Sequence, residues 1–180
     1  MFGNSLSSSF EQCINNANVR AGSDYEWGVA GGINGGAGSS VDKEKGSSFT
    51  NCYNTGNISS PKSHIGGFTG FLRSGEIINC YNIGNVSGSV FIGGIVGELG
   101  LNNVGGKINN VYNLNSASIV GNSYVGSIYG QKWSGTVTLT DNINEATLKT
   151  YAKVLDENIW TEDINNINNG YPILKWQLEI

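Results

Sequence analysis

Side chains able to do chemistry are sparse in this chain of 180 residues. Its one histidine, His64, lies in a Pro-Lys-Ser-His stretch that reads as a surface turn. Zinc peptidase chemistry needs two histidines at helical spacing with a glutamate base, and a single histidine cannot supply it. The three cysteines, Cys13, Cys52 and Cys80, lack CxxC spacing and have no His or Asp beside them. That argues against a zinc site, so neither a metal nor another cofactor is expected. Asp24, Glu76 and Glu98 are the acids flanked by strand-like sequence. Glycoside hydrolysis requires two carboxylates facing each other across a groove, and elimination a basic group beside acids. No two of these acids share a position in the repeat described next, and they read as solvated turn charges. Asn57-Ile-Ser59 and Asn85-Val-Ser87 have the form of glycosylation sequons, but they recur only because the repeat recurs. The expectation is a protein without catalytic residues.

The elements that hold these residues repeat. Phe10-Glu-Gln-Cys13-Ile-Asn15, Phe49-Thr-Asn-Cys52-Tyr-Asn54, Ile77-Ile-Asn-Cys80-Tyr-Asn82 and Ile108-Asn-Asn-Val111-Tyr-Asn113 align as one block. A second block follows each: Ala30-Gly-Gly-Ile33-Asn-Gly35, Ile65-Gly-Gly-Phe68-Thr-Gly70, Ile92-Gly-Gly-Ile95-Val-Gly97 and Val125-Gly-Ser-Ile128-Tyr-Gly130. Between them sits a short β-branched stretch such as Asn57-Ile-Ser59 or Asn85-Val-Ser87. Short β-branched and aromatic runs broken by Gly, Asn and Ser are strands separated by turns. A unit of this size cannot bury its apolar side chains alone and must stack on its neighbours. The expected fold is all-β, a short right-handed parallel β-helix or β-solenoid of about four coils with three short strands each. Coils about 4.8 Å apart place equivalent residues in columns.

Those columns assign structural roles. Asn15, Asn54, Asn82 and Asn113 form a ladder in which each amide can hydrogen-bond to the next coil and tolerate a left-handed turn. Gly35, Gly70, Gly97 and Gly130 read as corners needing positive φ or close backbone approach. Cys13, Cys52 and Cys80 occupy one column and pack as small hydrophobes, with a Cys52–Cys80 disulfide as the alternative. Tyr53, Tyr81 and Tyr112 each follow that column by one residue, so alternation turns them outward. They are a possible binding stripe for sugar rings or a protein partner; the other reading packs them under loops.

Four repeats are expected at about 10–47, 48–75, 76–106 and 107–136, within a solenoid spanning 1–140. The remainder, 141–180, has a different pattern. Asn144-Glu-Ala-Thr-Leu148 opens a helix over 145–156 with an N-cap and an acid in its first turn, and a closing strand is expected over 171–177. An open solenoid end exposes strand edges that invite polymerisation, so this piece reads as an end cap.

Composition bounds the partners. Charged residues are 13% and aromatic residues 10%, with 27 Gly, so polarity comes from Asn, Ser, Thr and Gly in a chain that folds. A net charge of −4 with no basic stripe argues against nucleic acid. No run reaches the roughly 20 apolar residues of a membrane span, and Met1 begins no signal peptide.

Asn79-Cys-Tyr-Asn-Ile-Gly-Asn-Val86-Ser-Gly with Ile92-Gly-Gly-Ile-Val-Gly-Glu-Leu-Gly100 resembles the GLUG motif. That motif occurs in tandem in bacterial surface proteins and in the non-catalytic part of IgA-cleaving metallopeptidases. The closing Asn169-Gly-Tyr-Pro-Ile-Leu-Lys-Trp176 looks like the segment that ends such arrays. The resemblance implies a segment of a longer secreted chain, extracellular or at the cell surface. It also implies a structural spacer or adhesive role toward host or matrix glycan or protein, or toward further copies of the repeat. A carbohydrate-active β-helix enzyme and a self-assembling filament subunit are the alternatives.

Overall fold

The computed structural model describes residues 2–22, 28–114, 116–150 and 155–179. Its strands stack in parallel into four sheets, numbered I to IV in the order in which each coil visits them after residue 8. Sheet I contains Ser9–Glu11 with Ile14–Asn15, Ser47–Thr50 with Tyr53–Asn54, Gly75–Asn82, Lys107–Leu114 and Thr136–Ile143. Sheet II holds Val19–Arg20, Ile58–Ser59, Val86–Ser87 and Ile119–Val120. Sheet III holds Ala30–Gly31, Ser63–Gly66, Val90–Gly93 and Ser123–Gly126. Sheet IV holds Phe2–Ser5, Asn34–Ala37, Thr69–Leu72, Val96–Leu99 and Tyr129–Lys132.

The solenoid is therefore built of four strands per coil rather than three. The second sequence block is bent in its middle. Its Gly-Gly step and the apolar residue after it, as in Gly66-Gly67-Phe68, turn a corner between sheets III and IV. The corner keeps the inter-coil bonding, since Phe68 N donates to Ile95 O and Ile95 N to Ile128 O, both at 3.0 Å.

Columns run through the stack. Phe10, Phe49, Ile77, Ile108 and Val137 stand in register on sheet I, and the Phe10 and Phe49 rings stack with centroids 4.8 Å apart, the spacing of adjacent strands. With Ile33, Phe68, Ile95, Leu72 and Leu99 they form the core between sheets I and IV. A smaller core joins sheets II and III through Val19, Ile58, Val86, Ala30, Ile65 and Ile92. Each fully buried aliphatic or aromatic side chain contributes about 1.5–3 kcal/mol, so cohesion grows coil by coil.

Gly35, Gly70, Gly97 and Gly130 lie inside strands of sheet IV. Of the two readings open for them, close approach is the one realised at Gly70, Gly97 and Gly130. A Cβ on Gly97 would fall 2.5 Å from Gly70 O and 2.6 Å from Ile65 N and Phe91 O, which lets sheets III and IV press backbone on backbone. The glycines with positive φ are Gly38, Gly75, Gly100, Gly135 and Gly170. Left-handed backbone on sheet I belongs to Gln12, Asn51, Asn79 and Asn110; it bends each coil three residues before the Asn ladder rather than at it.

The fifth strand of sheet I continues into Asn144, whose side chain accepts from Thr147 N at 2.9 Å and caps the helix Glu145–Lys149. Residues 151–154 of the expected helix lie outside the described residues. Ile173–Leu174 pairs antiparallel with Trp160–Thr161, and Lys175–Leu178 closes the chain as a 3-10 turn. This segment does not close the end of the solenoid. It lies along the outer face of sheet I, where Leu148, Leu155, Trp160, Tyr171 and Leu174 pack on Tyr53, Tyr81 and Tyr112. Among the described residues no helix is long and apolar enough to cross a membrane.

Candidate functional site

The tyrosine column faces out of the coil, as alternation requires, but it is not a surface. Tyr53 and Tyr81 are 1% and 0% exposed. Their rings stack at 5.1 Å, and the Trp160 ring leans on both at 6.0 and 5.5 Å. Tyr81 Oη donates to Pro172 O at 2.6 Å and accepts from Asn168 Nδ2 at 2.7 Å. Gln177 Nε2 donates to Tyr53 Oη at 3.0 Å, and Tyr112 Oη donates to Asn110 Oδ1 at 2.7 Å. Asn168 is held in place because Asp163 Oδ2 accepts from the Asn168 and Gly170 amides at 2.7 and 2.8 Å. Burial, and then the neighbouring Tyr53, push the Tyr81 phenol well above its ordinary value. An exposed tyrosine stripe is ruled out by the covering segment, and the column acts as its mooring.

The asparagine column is a continuous amide ladder. Asn15 Nδ2 donates to Asn54 Oδ1 at 2.6 Å, Asn54 to Asn82 at 2.7 Å and Asn82 to Asn113 at 2.8 Å. Each of the first three amides also donates to a carbonyl two residues on, Ala17, Gly56 or Gly84, at 2.8–2.9 Å. Burial without these partners would cost about 1–3 kcal/mol per group. Cys13, Cys52 and Cys80 are free thiols in one column, with Cys13 N and Cys52 N donating to the Sγ of the next coil at 3.4 and 3.3 Å. Contact with Cys52 and burial raise the Cys13 thiol well above its usual range.

The chain's only histidine sits elsewhere than expected. His64 is 1% exposed and has φ +62, in sheet III rather than a surface turn. Its Nε2 lies 3.0 Å from Glu98 Oε2, and Arg73 pairs with the other Glu98 oxygen. Ser63 Oγ is 3.0 Å from His64 Nδ1. A ring that donates from Nε2 to the Glu98 carboxylate, which Arg73 also pairs, accepts a hydrogen bond from Ser63 Oγ at Nδ1. Phe71 and Phe91 close over the ring at 6.4 and 4.9 Å, and Arg73 stacks on Phe71 at 4.7 Å. Burial, and then Arg73, lower the His64 pKa to about 4.

Chemically this chain of groups polarises a serine hydroxyl. It also neutralises the Glu98 charge and walls in the ring, so it serves as a polar plug between sheets III and IV. Glu98 is buried rather than a solvated turn charge. The missed signal was register: aligning Ile65 with Ile92 and Val125 also aligns His64 with Phe91 and Tyr124. Glu76, the second acid weighed above, stands on sheet I opposite Lys107, on a different sheet from Glu98. Asp24 lies outside the described residues. Among the described residues no group of three or more His, Cys, Asp or Glu side chains comes together as a metal site.

Two surfaces remain open. Tyr124 stacks on Phe91 at 5.0 Å and is itself exposed, with Trp133 exposed in the loop after the last strand of sheet IV. At the same end of the stack a groove of about 580 Å3 is lined by Val125, Ile128, Tyr129, Lys132, Val137 and Thr140.

Fold and site together define a parallel β-solenoid whose polar ladders lie inside. No protein-family model and no curated protein matches the sequence. Among solved structures the chain is similar to the crystal structure of a putative immunoglobulin A1 protease from Bacteroides ovatus. The TM-score is 0.57 at 19% identity, over 93% of this chain and 57% of that one. This likeness concerns the fold, and the chain spans little more than half the length of that neighbour.

Proposed function

We propose that this chain is a non-catalytic, extracellular repeat module of a bacterial surface protein, of the GLUG type. It acts as a rigid spacer that carries an adhesive surface toward host or matrix glycan or protein. The observation that carries this reading is the disposition of polar groups. The amides of the Asn ladder bond to one another, and His64 and Arg73 both pair with Glu98, inside the fold. An outward aromatic surface is formed by Tyr124, which stacks on the partly buried Phe91, with Trp133 also exposed. The resemblance of the blocks to GLUG repeats, and a structural neighbour of greater length, support a module within a larger protein.

The test is binding of the purified chain to glycan and matrix-protein arrays, compared with Tyr124→Ala. A ligand retained by the parent chain and lost in the variant is the expected result. Release of products from polysaccharide, abolished by Ser63→Ala or Glu98→Gln, would instead favour the carbohydrate-active reading.

A further inference from the structure

Three thiols stand in one column of sheet I, and their surroundings differ. Cys52 and Cys80 are 0% exposed, with coils stacked on both sides of them. Cys13 is half-buried in the terminal rung of the sheet, which among the described residues has no strand beyond it. It lines a groove of about 540 Å3 together with Leu6, Phe10 and Glu11. Of the three thiols, Cys13 is the one a solute can reach.

Cys13 and Cys52 are in register, because Glu11 pairs with Thr50 and Ile14 with Tyr53 on either side of them. Neighbouring strands lie about 4.8 Å apart, within the Cα separation of about 4.4–6.8 Å that a disulfide spans. The backbone ladder is interrupted at this point. Gln12 and Asn51 are left-handed, and the Cys13 amide donates to Cys52 Sγ at 3.4 Å instead of to a carbonyl. Cys52 Sγ also donates to Phe10 O at 3.4 Å, so this sulfur already reaches into the coil of Cys13. The Cys13 thiol donates to Glu11 O at 3.5 Å, a weak bond to give up for a covalent one. Cystine Cβ atoms lie about 3.8 Å apart, so bridging draws the two coils together locally. A terminal strand can follow that movement. Cys80 Sγ makes the same contact with the Cys52 amide, at 3.3 Å, but it is buried between coils held on both sides.

We propose that Cys13 and Cys52 are a cross-linking pair, which a low-molecular-weight disulfide oxidises to a cystine that staples the first coil to the second. The Cys13 thiolate attacks the oxidant, forming a mixed disulfide and expelling one thiolate. Cys52 then loses its proton, attacks Cys13 Sγ and expels the other. Two protein thiols are oxidised, the oxidant is reduced to two thiols, and Cys80 stays a thiol. Contact with Cys52 and burial hold the Cys13 thiol above its usual range. The thiolate is the attacking species, so closure is slow near neutral pH and quickens as pH rises. The staple goes beyond the spacer role proposed above and does not depend on what the outer surface binds.

The test incubates the whole folded chain with oxidised glutathione, quenches with acid, alkylates in denaturant and maps the peptides by mass spectrometry. A Cys13–Cys52 cystine with alkylated Cys80 is expected, formed about tenfold faster per pH unit. Cys52→Ser is expected to stop at glutathione on Cys13, Cys13→Ser to form no bridge, and Cys80→Ser to bridge as the parent does. Thermal unfolding confirms that the variants fold; if one does not, the parent's map decides alone. The bridged chain is expected to melt several degrees above its reduced form. A Cys52–Cys80 cystine, a disulfide joining two chains through Cys13, or alkylation of every thiol would overturn the proposal. So would a bridge that leaves the melting midpoint unchanged or lowers it.

Discussion

Two aromatic columns of this protein are built alike and end differently. Tyr53, Tyr81 and Tyr112 rise on sheet I; His64, Phe91 and Tyr124 rise on sheet III. Both project out of the coil. The first is sealed by Trp160, Pro172 and Gln177, while the second runs from a buried histidine to an exposed tyrosine with no covering segment among the described residues. Stacking dictates the column and its spacing. Whether a column becomes core or surface is decided by what the rest of the chain lays over it.

The largest effect comes from removing the cover. A chain ending at Ile143 exposes Tyr53 and Tyr81 and loses the burial of Leu148, Leu155, Trp160 and Leu174. At about 1.5–3 kcal/mol per side chain, the loss rivals the total stability of about 5–15 kcal/mol for a domain. The truncated chain is expected to lose its cooperative thermal transition and to bind a hydrophobic dye. A transition within a few degrees of the parent would mean the cover is dispensable.

Next come the ladders. Asn82 bonds to coils on both sides inside the core, whereas Asn15 is a half-buried terminal rung. Asn82→Ala is expected to cost about 2–4 kcal/mol, because it strands Asn54 Nδ2 and the Gly84 carbonyl, and Asn15→Ala about 1 kcal/mol or less. Urea unfolding measures both, and equal costs would deny a continuous ladder.

The sheet III column carries a pH dependence. His64 titrates near 4 in the fold because burial and Arg73 disfavour its charge, against about 6.5 unfolded. Between those values the unfolded chain binds the proton and the folded chain does not. Stability is therefore full above about pH 6.5 and falls as pH drops toward 4, by about 2–3 kcal/mol. His64→Gln should flatten the difference between pH 7 and pH 4.5; an unchanged slope would place the titration on other groups.

Much of this was legible in the residues. Aligning Phe49, Ile77 and Ile108, or Asn54, Asn82 and Asn113, reproduces the strand register, because parallel stacking forces like residues onto like positions. The bend that makes four strands of three was written only as Gly-Gly, which serves strand, bulge and corner alike. The fifth rung of sheet I was hidden because Thr140 and Asp141 stand where Cys or Val and Tyr stand below. His64 was misplaced for a related reason: Pro-Lys-Ser-His looks like a turn until register puts the ring over Phe91. No local pattern states that the segment after Asn144 runs along the side of the stack, since that depends on surfaces far apart in sequence.

The most direct measurement is the pair of unfolding free energies for Tyr81→Ala and Tyr124→Ala. Tyr81 is wholly buried between Tyr53 and Trp160, and Tyr124 is exposed at the end of its column. About 3–5 kcal/mol is expected for the first and less than about 1 kcal/mol for the second. Comparable losses at the two sites, or the reverse order, would contradict a solenoid fastened along sheet I and open along sheet III.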